Sequence, residues 1–135
     1  MKIEITRDGL VIGKGRPRFT RSGHVFTPAK TKKYEDSLKA LAQAEMDRRN
    51  LDVIDCGCSM VIFASFEIPK SWPKKKRELA QNNLITPKKP DVDNIAKAVM
   101  DAFNKVVYVD DCLVSSLNVV KVYGNPYLKV TIIKD

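Results

Sequence analysis

The stretch Lys88-Lys89-Pro90-Asp91-Val92-Asp93-Asn94-Ile95-Ala96-Lys97, continued by Asp101-Ala102-Phe103 and then by Asp110-Asp111, decides how this chain is read. Pro90 breaks what precedes it, and Asp91 is a favourable helix N-cap. Apolar residues then recur at Val92, Ile95, Val99, Ala102 or Phe103, and Val106, the spacing of a helix with one buried face. Asp93, Asn94, Lys97, Asp101 and Asn104 fall on the other face, with Asp93 and Lys97 at i and i+4. Two acids therefore stand at the first turn of an amphipathic helix, pointing away from the core. Each part has an ordinary structural explanation. First-turn acids suit the helix dipole, and an Asp-Lys pair at this spacing is commonly a solvated surface pair. The combination asks for more. Two acids at one helix start repel each other, and Asp110-Asp111 adds two more to a basic protein. Clustered carboxylates facing solvent are what a hard divalent cation such as Mg²⁺ needs.

Working outward, 135 residues are one domain's worth of chain, so the expectation is a single domain over 1–135 with a real core. An apolar fraction of 44% with 30% charged residues suits a folded globular protein. The formal net charge of +8 favours a polyanionic partner, nucleic acid first and an acidic membrane second. No apolar run reaches the ~20 residues of a spanning helix, and Met1-Lys2-Ile3-Glu4-Ile5 alternates like a strand instead of opening a signal peptide. Cys56, Cys58 and Cys112, with His24 as the one histidine, have the wrong number and spacing for a zinc site. They read as reduced thiols of an intracellular, cytoplasmic protein.

In chain order, Lys2 to about Thr6 is an expected strand and Gly13 to about Ala29 an irregular loop. Between Lys14 and Lys33 that region carries seven Lys or Arg and no acid (Lys14, Arg16, Arg18, Arg21, Lys30, Lys32, Lys33), with Phe19, His24 and Phe26 interleaved. Basic residues mixed with rings suit phosphates and bases; the alternative is a solvated loop anchored by its rings. Thr31 to about Arg49 is an amphipathic helix. Gly57 to Ile68, apolar on both faces, is a central strand expected to be buried on both sides. Pro69 to Pro73 is a turn, and Lys74-Lys75-Lys76-Arg77 opens a short basic helix, ordinarily a solvated one. After the helix from Asp91, Val106 to Val109 is strand-like. Leu113 to Tyr123 and Tyr127 to Ile133 are two strands joined at Gly124-Asn125-Pro126, read as an antiparallel hairpin. The fold class is α+β: one domain, a mixed sheet and a C-terminal β-hairpin packed against helices.

A basic surface attracts a phosphodiester backbone, and carboxylates repel it unless a metal intervenes. That opposition suits a metal-dependent nuclease, in which Mg²⁺ neutralises the scissile phosphate and activates a water, while a lysine such as Lys97 stabilises developing charge. No Cys-His or Ser-His-Asp set is available for covalent chemistry, and there is no P-loop.

Lys89-Pro90-Asp91-Val92-Asp93-Asn94-Ile95-Ala96-Lys97-Ala98, then Asp101-Ala102-Phe103, then Val109-Asp110-Asp111, resembles the signature of the RusA family of Holliday-junction resolvases, small endonucleases that are often prophage- or phage-encoded. The length, the basic N-terminal loop and the final two strands match as well. The resemblance implies that Asp91, Asp93 and Asp111 are metal-binding catalytic carboxylates and that Lys97 is the family's essential lysine. It implies a homodimer that uses Mg²⁺, with Mn²⁺ as a substitute, to cut opposed strands of branched DNA by paired symmetric nicks in recombination and repair. The segment between Asp101 and Asp110 is one residue shorter than in a well-known member, which leaves Asp110 as the alternative to Asp111. Pro90 stands where that member has an arginine, with Lys88 and Lys89 behind it to contact DNA. Arg16, Arg18 and Arg21 are assigned to DNA on charge alone. The competing readings are a non-catalytic basic nucleic-acid-binding protein, which leaves Asp-x-Asp unexplained, and a metal-dependent phosphotransferase, for which no nucleotide pocket is evident.

Overall fold

The most apolar run of the chain takes the interior of the sheet. In the computed structural model, which describes residues 1–15, 18–26 and 28–135 and the side chains outside 16–19 and 25–27, this run is strand β4. The elements in chain order are β1 (Lys2–Asp8), β2 (Arg18–Phe19), β3 (Val25–Phe26), α1 (Ala29–Arg48), β4 (Cys58–Phe66), α2 (Lys74–Gln81), α3 (Val92–Phe103), a 3₁₀ turn (Asp111–Leu113), β5 (Val114–Tyr123) and β6 (Tyr127–Lys134). The four long strands form one mixed sheet in the order β1-β6-β4-β5. β6 runs antiparallel to both β1 and β4, and β5 runs parallel to β4. The fold is α+β, as the alternation of elements implies. The region expected to be an irregular loop carries a separate two-stranded ribbon, β2 against β3.

The expected C-terminal hairpin does not form. β5 and β6 are consecutive, yet β4 lies between them. The connection passes over the end of β4, where the Gly124 N–H donates to the Phe66 carbonyl at 2.9 Å. Three intervening residues suffice for this. Skipping one strand means crossing about 9.6 Å, and the four Cα steps from Tyr123 to Tyr127 reach about 13 Å. The slot goes to β4 because its inward residues, Cys58, Met60, Ile62 and Ala64, are the ones most costly to leave wet.

Register defines two unlike faces. Met60 pairs with Ile132 and Leu117, and Ile62 with Val130 and Val119, so these side chains share the face that α1 and α3 cover. α1 buries Tyr34, Leu38, Ala42 and Met46 at four-residue spacing, and α3 buries Ile95, Val99, Ala102 and Phe103. Val61, Phe63, Thr131, Lys129 and Tyr127 share the other face. The expectation that β4 is buried on both sides fails there: Ser59, Val61 and Phe63 are only half-buried, because among the described residues no helix covers them. Val106, Val107 and Tyr108 are buried but form no strand of the sheet; Tyr108 makes isolated bridges to Ile54 and Asn104. The three cysteines are free thiols, Cys56 half-buried, Cys58 buried and Cys112 exposed.

Candidate active site

α3 positions the acids, and its two ends treat them differently. At the start, Asp91 has extended backbone angles, and its carbonyl accepts the Ile95 N–H at 3.0 Å, which opens the helix. Its side chain makes no capping hydrogen bond. The carboxylate is 49% exposed and, among the described residues, pairs with Lys89, whose Nζ lies 3.2 Å from Oδ1 and 3.3 Å from Oδ2. Asp93, in the first turn, is exposed, as are Lys97 one turn later and Val92, which the apolar pattern put on the buried face. Among the described residues Asp93 and Lys97 make no ion pair with each other.

The approach to Asp91 is shaped by the chain after β1. The Lys14 N–H donates to the Asn94 carbonyl at 2.8 Å, clamping this segment against α3. Gly13 is required for the close approach, since a Cβ there would lie 2.6 Å from Pro90 Cβ and 3.2 Å from Asn94 Cβ. An open cleft of about 360 Å³ results, lined by Ile12, Gly13, Lys30, Lys89, Asp91 and Asn94 among others. Lysines thus rim the cleft in which Asp91 sits.

At the other end the acids are tied into the structure. Lys14, counted above among phosphate-contacting cations, is committed elsewhere. Its Nζ lies 2.9 Å from Glu35 Oε2 and 3.0 Å from Asp101 Oδ2, with Lys14 and Glu35 only 13% and 14% exposed. Burial disfavours the ammonium, but hydrogen bonds and charge from Glu35 and Asp101 outweigh it and raise the Lys14 pKa. Asn104 Oδ1 accepts the Asp111 N–H at 3.2 Å, fixing the turn that carries the acid pair. Asp110 caps that turn by accepting the Cys112 N–H at 3.4 Å. A hydrogen bond with Asp111 holds the Asp110 carboxyl low, and the same bond, with burial and the charges of Asp110 and Asp101, pushes Asp111 up.

These contacts separate the predicted ligands. α3 has 12 residues, so it is about 18 Å long. Asp91 and Asp93 stand at one end, and Asp111 is held to Asn104 at the other. Among the described residues, no three His, Cys, Asp or Glu side chains come together closely enough to hold a metal ion. The donor chemistry still suits a hard cation at the start of α3. Asp91 and Asp93 offer oxygens free of capping bonds, and Mg²⁺ is ordinarily held by one or two carboxylates plus substrate phosphates.

The predicted DNA contacts scatter. Lys89 is in the cleft; Lys88 lines a different cavity beside Trp72 and Tyr123. Arg21 is exposed in the turn joining β2 to β3, where the Gly23 N–H donates to the Thr20 carbonyl. Arg16 and the side chain of Arg18 lie outside the described residues. Sequence reasoning missed Asn104 as the holder of Asp111, although its place on the polar face of α3 was visible. It also missed Lys14 as the clamp, because Glu35 and Asp101 are distant in sequence.

Solvent-facing acids at a helix start beside a lysine-rimmed cleft suit phosphodiester chemistry, and comparison with known proteins supplies the family. The family model described as "Endodeoxyribonuclease RusA" matches residues 8–133, and the chain belongs to that family. Nuclease activity is what membership implies. The chain is also 37% identical over 137 residues to the "Uncharacterized protein YqaN" of Bacillus subtilis (strain 168), covering 96% of this chain and 94% of that protein. Among the described residues, no helix is long and apolar enough to cross a membrane.

Proposed function

We propose that this protein is a Mg²⁺-dependent, structure-selective endodeoxyribonuclease that resolves four-way DNA junctions by paired symmetric nicks. The observation that carries the reading is the Asp91 carboxylate, uncapped at the start of α3 in a cleft rimmed by Lys30 and Lys89. The lysines draw in the phosphodiester backbone. Asp91 and Asp93 would hold the ion, which when bound supplies charge neutralisation at the scissile phosphate and a more acidic water. Lys97, on the same helix face, stabilises charge developing on the phosphate. Asp111 is the third carboxylate, with Asp110, which caps its own turn through one oxygen, as the alternative.

Two opposed incisions need two sites related by a twofold axis, and a homodimer provides them. The uncovered sheet face, with Val61, Phe63 and Tyr127 half-buried, supports a second copy as the cover.

The test is cleavage of a synthetic four-way junction beside linear duplex of the same sequence, with Mg²⁺ or with EDTA. Paired nicks on the junction alone, lost in EDTA, are expected. Binding without cutting in both conditions would leave a non-catalytic nucleic-acid-binding protein.

A further inference from the structure

The basic run at the start of α2 and the chain's single tryptophan play no part in the site above, yet they form one feature. Trp72 precedes α2. Its ring meets that of Tyr123 edge-on, with centroids 5.7 Å apart and planes at 70°. Lys76 Nζ lies 4.0 Å from the Trp72 ring centroid. With Ile85, Thr86 and Lys88 these residues line a cavity of about 300 Å³. Its wall is pinned: Asn83, at φ 54°, accepts the Tyr123 N–H on Oδ1 at 3.1 Å. It is also tethered to the candidate active site. Lys121 Nζ donates to the Lys88 carbonyl at 3.2 Å and to the Pro90 carbonyl at 3.1 Å, and Asp91 follows Pro90. Lys88 is three Cα steps from Asp91, so the two lie within about 11 Å of each other.

We propose that the cavity walled by Trp72 and Tyr123 receives one unstacked nucleobase of the bound DNA strand, with Lys88 and, once displaced from the Trp72 ring, Lys76 on its flanking phosphates. The proposal rests on the DNA-binding reading above and adds the class of group recognised beside the cut. Trp72 and Tyr123 are only half-buried, so part of each ring is left uncovered by the protein. Here the rings border open space. At about 300 Å³ the cavity is at the small end of ligand sites, room for one ring system and too little for a base pair. No acidic side chain is among its lining residues, and both charged ones are lysines, which suits a flat apolar ring carrying phosphates and not a cationic or purely apolar guest. Aromatic platforms with basic flanks bind unpaired bases without sequence demand. A branch point interrupts stacking and so lowers the cost of extruding a base.

Because Trp72 is the chain's one tryptophan, its emission reports on this cavity. The experiment titrates the full-length protein in EDTA with a ten-residue oligothymidylate, with a four-way junction, and with a ten-residue abasic deoxyribose-phosphate chain of equal charge. Binding is followed independently by anisotropy of a label on each. We expect oligothymidylate and junction to quench Trp72 emission about twofold at saturation, and the abasic chain to bind without quenching. Tyr123→Leu is expected to weaken oligothymidylate about tenfold and to leave abasic binding unchanged. DNA bound by anisotropy with Trp72 emission unaltered, or equal quenching by the abasic chain, overturns the base pocket while leaving the DNA reading intact. Failure of every probe to bind overturns the DNA reading itself.

Discussion

The two ends of α3 carry the same side chain in opposite circumstances. At its start, Asp91 makes no capping bond and faces one exposed lysine, and Asp93 points into solvent. At its end, Asp101 is held by the largely buried Lys14, Asp110 caps a turn, and Asp111 is anchored through Asn104. An acid whose oxygens are already hydrogen-bonded contributes to stability and must give something up to bind a ligand. An acid left free contributes little to the fold and stands ready for an ion or a phosphate. On the proposed reading, chemistry belongs to the start of the helix and architecture to its end, with Asp111 the one acid proposed to serve both.

That division can be broken in order of expected effect. Asp93→Asn should lower junction cleavage by about 10³-fold or more, since ion-mediated stabilisation is worth several kcal/mol. Binding in EDTA should hold or tighten, and nicking at the wild-type rate by this variant would sink the assignment. Lys97→Ala should cost about 10²-fold in cleavage rate at unchanged melting temperature. Lys14→Met tests the other end. It leaves Glu35 and Asp101 facing each other without their shared cation and should cost about 2 kcal/mol in urea unfolding. The same contact has a pH signature. A folded-state pKa raised above the ordinary lysine value means the stabilisation is fully present at neutral pH and fades above about pH 10.4 as Lys14 loses its proton; Lys14→Met should flatten that limb of the stability curve. The smallest effect is Asn104→Ala, about 1 kcal/mol for one lost hydrogen bond. Its use is diagnostic: if Asn104 orients Asp111, the Mg²⁺ concentration for half-maximal cleavage rises by more than the stability change explains.

Much of this molecule could be read from the chain because the decisive signals were local. The 3.6 spacing after Pro90 located α3, alternating apolar residues located β1, and the apolar run at Cys58–Phe66 identified the central strand. Asp91 and Asp93 stood out because two acids at one helix start need a reason. What escaped were relations between distant residues. A short Gly124-Asn125-Pro126 link serves a hairpin or a split pair equally well, and the choice was made by β4 more than fifty residues earlier. Lys14 looked like one more cation in a basic loop until Glu35 and Asp101 were folded against it. Trp72 and Tyr123 are far apart in sequence, and only the fold brings their rings into contact beside one cavity.

The split pair also bears on the order in which the molecule can be made. β6 is the neighbour of both β1 and β4, and β1 pairs along its whole length with β6, Lys2 against Ile133 through Asp8 against Tyr127. A ribosome therefore delivers β1 and β4 long before the strand that joins them. Until β6 emerges, both present unpaired edges, and α1 and α3 have only half a sheet to cover. Pairings this remote in sequence form slowly, and open edges in waiting chains are where aggregation begins. The four-stranded sheet can close only once β6 has been made, because β6 is the strand that joins β1 to β4.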